Sequence, residues 1–238
     1  MEMDRKKILL IIPAYNEEKN IEKLVSSIRI TCSDNVDVLV INDCSKDNTS
    51  AVCSSLGVPT VDLPCNLGIG GAVQTGYKYA NLHGYDIAIQ VDGDGQHKPE
   101  FVSELIDPIL KSEADLVIGS RFINKRGFQS TVMRRLGIGY FTFLLKLITK
   151  KNVTDPTSGF RACNKKVIDL FSKRYPTDYP EPESIMYLIR NGYRIQEVPV
   201  IMQERMEGNS SITSLKSVYY MMKVSLAILI DSLRRQIV

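Results

Sequence analysis

The sequence predicts an α/β domain, a mostly parallel central sheet with helices on both faces. Two observations predict it. Short continuous apolar runs recur through the first half, and stretches with helical spacing separate them. That alternation needs crossover connections, and crossovers join parallel strands.

Residues 8–12 are an unbroken apolar run ended by Pro13, a strand buried on both faces. Residues 16–30 place Ile21, Leu24, Val25 and Ile28 at helical spacing. Residues 37–41 are a second strand, 47–56 a short helix closed by Gly57, and 60–63 a third strand. Residues 71–82 are a helix closed near Gly84, and 85–91 a fourth strand that runs into Asp92-Gly93-Asp94. A helix over 99–110 and a strand over 116–119 follow. The second half differs. Residues 132–148 form a helix whose apolar stretch, 136–148, is interrupted by Lys146. A turn-rich loop over 155–160 precedes a short helix over 165–171. Residues 175–182 hold three prolines and are irregular or the opening of a helix. A helix over 183–191 stops at Gly192, 194–202 alternates as a strand, 203–211 is a polar loop, and 212–237 is a long helical pattern. There is no internal repeat or low-complexity linker, so the expectation is one domain, 1–211, with an amphipathic helical extension, 212–238.

Composition narrows the classes. Apolar residues at 44% and charged residues at 24% describe an ordinary globular chain, not a disordered or fibrous one. A net charge of +3 leaves no nucleic-acid footprint. Cys32, Cys44, Cys53, Cys65 and Cys163 are odd in number and form no CxxC pair, which argues for a reducing compartment. Residues 1–7 are polar and unlike a signal peptide, and no apolar run reaches the roughly 18–20 residues that span a bilayer.

Ligands of open parallel sheets bind beyond the carboxyl ends of the strands. Polar residues cluster there: Pro13, Tyr15, Asn16 and Glu17 after the first strand, Asn42, Asp43 and Ser45 after the second, Asp92 and Asp94 after the fourth. Hard divalent cations are held by one or two carboxylates plus substrate phosphates. Gly93 and Gly95 allow close backbone approach. An isolated Asp-Gly-Asp is commonly a plain turn; its position after an apolar strand favours a metal site. Residues 66–71 open a helix and are glycine-rich, a weak signal for phosphate or sugar, since neither a P-loop nor a good dinucleotide fingerprint is present.

These residues resemble a known family. Pro13-Ala14-Tyr15-Asn16-Glu17, Asn42-Asp43-Cys44-Ser45-Lys46-Asp47, Asn66-Leu67-Gly68 and Asp92-Gly93-Asp94-Gly95-Gln96-His97 look like a family 2 glycosyltransferase. Gly119-Ser120-Arg121, Asp155 through Arg161, Glu197-Val198-Pro199 and Arg205 through Gly208 to Ser210-Ser211 resemble its dolichol-phosphate mannosyltransferase-like branch. The likeness runs in order over residues 8–212.

The resemblance implies a GT-A type fold, a nucleoside-diphosphate sugar donor and inversion at the anomeric carbon. By similarity, Pro13, Tyr15 and Glu17 line the base and ribose pocket, and Asp43 contacts base or ribose. Asp92 and Asp94 hold Mn²⁺ or Mg²⁺ with the diphosphate, Gln96 beside them. Arg121 and Arg205 resemble the arginines that hold phosphates, a task suited to a guanidinium fork. The loop around Arg205 is expected to close over the donor. Arg134 and Arg135 face an acceptor phosphate or lipid head groups. His97 contacts diphosphate or makes a structural hydrogen bond, and Asp155 through Arg161 form a structured loop near the acceptor side. A hydroxyl acceptor needs a general base, and an ionised phosphate does not. Glu183, fourteen residues before Glu197, matches a glutamate of the branch and is the first choice; Glu181 and Asp178 follow it, a solvated proline-acid loop being the alternative. The catalytic set implied is Glu183, Asp94 and Arg121.

Two departures from the branch matter. A serine usually follows the helix-opening arginine by one turn; here Ile138 follows Arg134 and Gly139 follows Arg135. Tyr179-Pro180-Glu181-Pro182-Glu183 replaces a more apolar segment and looks like relatives that assemble surface polysaccharides. Both favour a sugar hydroxyl as nucleophile. Residues 136–148 and 218–230 suit helices lying in a membrane interface or packing on the domain or a twin subunit.

The resulting expectation is a metal-dependent inverting enzyme. It would move a sugar from a UDP-sugar, or next a GDP-sugar, to a lipid-linked glycan at the cytoplasmic face of the membrane. Synthesis of a polyprenyl-phosphate sugar is the alternative. A silent nucleotide-sugar-binding subunit is disfavoured by the intact acidic and basic residues, and a nucleotidyltransferase by the missing glycine-rich N-terminal loop. Contact with the membrane is expected, nucleic acid is not, and a homo-oligomer stays open.

Overall fold

The computed structural model describes residues 6–33, 35–204 and 214–233. The strands are β1 (Ile8–Ala14), β2 (Val36–Asn42), β3 (Thr60–Asp62), β4 (Ile87–Gln90), β5 (Leu116–Ser120), β6 (Arg161–Asn164) and β7 (Ile195–Pro199). The helices are α1 (Ile21–Thr31), α2 (Thr49–Ser55), α3 (Gly68–Leu82), α4 (Val102–Leu110), α5 (Val132–Thr149), α6 (Lys165–Lys173), α7 (Pro180–Arg190) and α8 (Ser214–Leu233). The strands form one sheet in the order β3-β2-β1-β4-β6-β5-β7.

All neighbours are parallel except β6, which runs antiparallel to both β4 and β5. The sequence reading leaves β6 out. It has four residues, it begins with Arg161 and it ends with Asn164, so it carries no apolar period. The final strand is also shorter than the alternation over 194–202 predicts, although Met202 still bridges to Gly127. The proline-rich segment resolves as a helix opening. Pro180 and Pro182 fall in the first turn of α7, where an N–H is not needed and a fixed φ suits the helix.

The sheet is covered on both faces, which is why its strands read as unbroken apolar runs. Side chains alternate along β1: Leu9 and Ile11 join the core beneath α3, α5, α6, α7 and α8. Ile8, Leu10 and Ile12 join the opposite core beneath α1 and α4. α8 inserts Val224 and Ile228 into the first core, and its Tyr220 ring meets Phe141 at 5.2 Å and Tyr179 at 4.3 Å. Among the described residues, no helix is long and apolar enough to cross a membrane.

The glycines opening α3 serve packing. The Gly70 N–H donates to the Thr177 carbonyl at 3.1 Å, and a Cβ on Gly70 would lie 2.1 Å from the Pro176 carbonyl oxygen and 2.2 Å from that of Thr177. The face considered for a phosphate is therefore filled by the 176–177 backbone. Gly70→Ala is expected to cost about 1–3 kcal/mol, because backbone must shift to admit the methyl; urea unfolding measures it, and an unchanged midpoint would refute this packing role.

Candidate active site

The candidate rim is built where β1, β2 and β4 end. Successive loops are tied to one another before any ligand is considered. The Asp43 N–H donates to the Ala14 carbonyl at 2.9 Å, and the Glu17 N–H donates to Thr49 Oγ1 at 2.9 Å. Asn16 donates its N–H to Ser45 Oγ at 2.9 Å and accepts the Lys46 N–H on Oδ1 at 2.8 Å. Asn16 and Cys44 both sit at φ +57°, a left-handed conformation that costs energy for non-glycine residues and concentrates at functional loops. Of the expected pocket residues, Pro13, Glu17 and Asp43 are buried, while Tyr15 is exposed at the rim. Asp43 already accepts the Leu67 N–H on Oδ1 at 2.7 Å, which fixes the start of α3 against this loop. Glu17 accepts from Asn20 Nδ2 at 2.7 Å.

Asp92 and Asp94 follow β4 and are half-buried. Asp92 is oriented from three sides. Gln90, wholly buried in β4, donates Nε2 to Asp92 Oδ1 at 3.1 Å. The buried His97 accepts the Asp92 N–H on Nδ1 at 3.0 Å while its ring stacks on Phe160 at 4.8 Å. This is the structural hydrogen bond of the two roles considered for His97. Gly159 supplies the third side by what it lacks, because a Cβ there would lie 2.7 Å from Asp92 Oδ2 and 2.9 Å from Oδ1. Asp94 Oδ1 accepts the Gln96 N–H at 3.1 Å, and the Gln96 carbonyl accepts the Gln203 N–H at 3.0 Å. The segment leading to Arg205 thus starts beside the Asp94 turn; Arg205 and the rest of the loop to 211 lie outside the described residues.

Among the described residues, no three acidic, histidine or cysteine side chains group as a ready metal cage. Two carboxylates at a rim, with space kept open by Gly159, instead fit a cation that shares its coordination with substrate phosphates.

Arg121 has a different partner from the phosphate expected for it. Its Nε and Nη2 close a bidentate pair on Asp155, both at 2.7 Å, and Nη2 also reaches Thr157 Oγ1 at 3.2 Å. Both side chains are buried. The fork that suits a phosphate suits this carboxylate equally, and it anchors the 155–161 loop. Glu197 holds the same loop from β7, accepting the Thr154 and Asp155 N–H groups at 2.7 and 2.8 Å. Burial pushes the Glu197 carboxyl up, against these hydrogen bonds.

Glu181 and Glu183 stand two apart on α7, and residues at that spacing do not share a helix face. Glu181 has its carboxyl raised by burial, with Asp92 adding to the shift and Arg161 and Arg134 opposing it. Glu183 is also raised by burial, but its charged neighbours are Asp231, Lys223, Asp178 and Arg174. Asp178 pairs with Lys223. Asp92 is thus among the main charged influences on Glu181, while those on the first-choice Glu183 come from α8 and the 174–178 segment; spacing along the chain does not encode helix phase. Arg134 and Arg135 are exposed in the first turn of α5, and Arg134 is an electrostatic neighbour of Glu181.

Gln90, Gly159 and Ser184 are not among the site residues the sequence predicts, and Arg161 is predicted only as part of its loop. Gln90 carried a signal, being a polar residue inside an apolar strand.

α5 and α8 lie side by side, joined by the Tyr140 and Ser225 hydroxyls at 2.9 Å. Each has a second apolar stripe facing out. Met133, Leu136, Tyr140, Phe143 and Leu147 are exposed on α5, and Tyr219, Met222, Leu226 and Leu229 on α8. Both sets step by three or four residues, so each stripe is one helix face.

The chain belongs to glycosyl transferase family 2, whose model matches residues 9–171. It is 35% identical over 224 residues to a UDP-N-acetylglucosamine–dolichyl-phosphate N-acetylglucosaminyltransferase of Methanococcus voltae, covering 83% of this chain and 86% of that protein. It is 31% identical to a polyprenol monophosphomannose synthase of Mycolicibacterium smegmatis, covering 91% and 85%. In fold it is similar to glucosyl-3-phosphoglycerate synthase of Mycobacterium tuberculosis, crystallised with Mn²⁺, UDP and phosphoglyceric acid, at a TM-score of 0.74, 22% identity, and coverage of 98% and 81%. The GT-A-like fold and glycosyltransferase class expected from the sequence hold.

Gly159→Ala is expected to leave a cooperatively folded protein but to lower turnover roughly 100-fold by displacing the Asp92 carboxylate. Turnover at the parent rate would show that Asp92 need not occupy this position.

Proposed function

We propose that this chain moves a sugar from a nucleoside-diphosphate sugar, with uridine as the base, onto a polyprenyl phosphate at the cytoplasmic face of a membrane. The observation that carries this reading is the outward apolar face of α5 and α8, because the first turn of α5 carries Arg134, an electrostatic neighbour of Glu181. A greasy surface next to a basic residue suits an acceptor whose phosphate is charged and whose tail is hydrocarbon. The relatives named for dolichyl-phosphate and polyprenol acceptors support it, as does the uridine nucleotide in the name of the N-acetylglucosaminyltransferase.

In this reading Pro13, Tyr15, Glu17 and Asp43 cradle the nucleoside. Asp92 and Asp94 hold a divalent cation with the donor diphosphate; when bound, the ion supplies Lewis acidity to the leaving group. Arg134 receives the acceptor phosphate. An ionised phosphate oxygen attacks the anomeric carbon from the face opposite the diphosphate. The new carbon–oxygen bond forms as the bond to the diphosphate breaks, so configuration inverts and the nucleoside diphosphate leaves. No proton has to be removed, and Glu181 orients Arg134.

A second reading keeps the sugar hydroxyl of a lipid-linked glycan as nucleophile, with Glu181 as base. Its support is the half-buried Glu181 carboxyl, which desolvation shifts upward. A base acts ionised, so that pKa would place the acid limb of the rate profile above the ordinary glutamate range. Glu181→Gln separates the two. Loss of roughly 10²–10⁴-fold in turnover, together with the acid limb, identifies the base; retention within about tenfold supports the phosphate acceptor. The direct assay supplies UDP-sugars, Mn²⁺ and polyprenyl phosphate. A lipid-phosphate sugar labile to mild acid is expected, reduced about 10²-fold or more in Asp94→Ala. Extension of a lipid-linked glycan with no product from polyprenyl phosphate would replace this reading by the second.

Membrane contact has its own test. Replacing Leu136, Phe143 and Met222 by serine is expected to abolish flotation with anionic vesicles while UDP binding persists. Unchanged flotation, or conversion of a dimer to a monomer, would assign the face to something other than lipid.

A further inference from the structure

We infer that Arg161 is a positioning residue that sets the spacing between the donor-side carboxylate Asp92 and the acceptor-side carboxylate Glu181. Arg161 is fully buried, in the middle of the sheet, on the antiparallel strand β6. Its register partner on β4 is Gln90, the residue whose amide holds Asp92.

The guanidinium reaches in two directions. Nε and Nη2 both donate to the Ser158 carbonyl, at 3.0 and 2.6 Å. That clamp fixes the turn delivering Gly159, whose bare Cα leaves room for the Asp92 carboxylate. Nη1 donates to Ser184 Oγ at 3.0 Å, and the Ser184 hydroxyl donates to the Glu181 carbonyl at 2.9 Å. That arm fixes the first turn of α7, where Glu181 sits. One rigid planar group therefore bears on the backbone beside both carboxylates, directly at Ser158 and through the Ser184 hydroxyl at Glu181. Lysine has the charge but not the fork, and cannot make both contacts at once.

A core-filling role alone explains this residue poorly. Removing a guanidinium from water is expensive, and an apolar side chain of similar volume is often neutral or better in its place. The hydrogen bonds of Arg161 go to neutral oxygens. Its charge is answered through space: Arg161 and Asp92 both act on Glu181, which Arg134 also influences from α5, with the hydroxyls of Tyr175 and of Tyr220 on α8 in the same field. The costly charge thus stands between the two halves of the site.

The inference rests on the proposed function only in taking Asp92 as the donor side and Glu181 as the acceptor side. The experiment compares Ser184→Ala, Arg161→Lys and Arg161→Gln by calorimetry with UDP and Mn²⁺, by steady-state transfer to polyprenyl phosphate, and by thermal unfolding. Ser184→Ala cuts only the arm to α7. It should bind UDP with Mn²⁺ as the parent does and lose about 10–100-fold in kcat for transfer. Arg161→Gln should lose in both measurements by a similar factor, and Arg161→Lys should recover stability without recovering kcat. Wild-type kcat in Ser184→Ala, or wild-type UDP affinity in Arg161→Gln, would overturn the inference. If Arg161→Gln does not fold, Arg161→Lys takes its place in the calorimetry. Should the parent bind UDP but transfer nothing to polyprenyl phosphate, the proposed function fails alone, and the UDP affinity of the Arg161 variants still decides.

Discussion

The central strands β1 and β4 are buried on both faces, and every other feature follows from that. A strand with apolar cores on both sides has no outlet for polar groups along its length. Its chemistry must be pushed to the ends, and here it is pushed to the carboxyl ends. Gln90 is the exception that proves useful: it is a buried amide in β4 whose Nε2 is spent on Asp92. The β1 and β2 loops then tie to one another through Asn16, Asp43, Ser45 and Thr49, and the Gly93 N–H of the β4 loop donates to the Pro13 carbonyl, so the rim is held by its own hydrogen bonds. Such preorganisation is what allows a site to stabilise developing charge without rearranging at the moment of reaction.

The second half of the site obeys a different constraint. Charge enters the interior with Arg161 on the antiparallel β6, with Arg121 after β5 and with the half-buried Glu197 on β7, so the chain must answer each ion. Arg121 is answered directly by Asp155, and Glu197 by two backbone N–H groups. Arg161 is answered by oxygens of Ser158 and Ser184 and by the field of the site carboxylates. Buried pairs of this kind are weak sources of net stability but are strongly destabilising when broken. Their value here is geometric, since they hold a loop of turn residues and the first turn of α7 at fixed distances from Asp92.

α5 and α8 show how one helix can satisfy two demands. Ile138, Phe141 and Leu145 fill the core, as do Val224 and Ile228, while separate stripes of each helix stay apolar and exposed. Two apolar stripes on one helix are costly in water, and exposed patches of this kind mark surfaces that meet another phase or another molecule.

Periodicity and local turn chemistry are properties of neighbouring residues, and the sequence by itself determined what depends on them. That includes the buried parallel strands, most helix ends, the placement of Asp92 and Asp94 after β4, and the family. Tertiary structure alone decided the rest. The partner of Arg121 lies 34 residues away, and the Ser184 hydroxyl held by Arg161 lies 23 residues away. No local pattern encodes either distance. The four-residue β6 has no period to read, and its antiparallel direction exists only because β4 and β5 offer it edges. Whether Glu181 or Glu183 feels the charge of Asp92 more strongly depends on the rotation of α7 about its own axis. That rotation is set by Pro182, Ile185 and Leu188 seeking burial, not by the glutamates themselves.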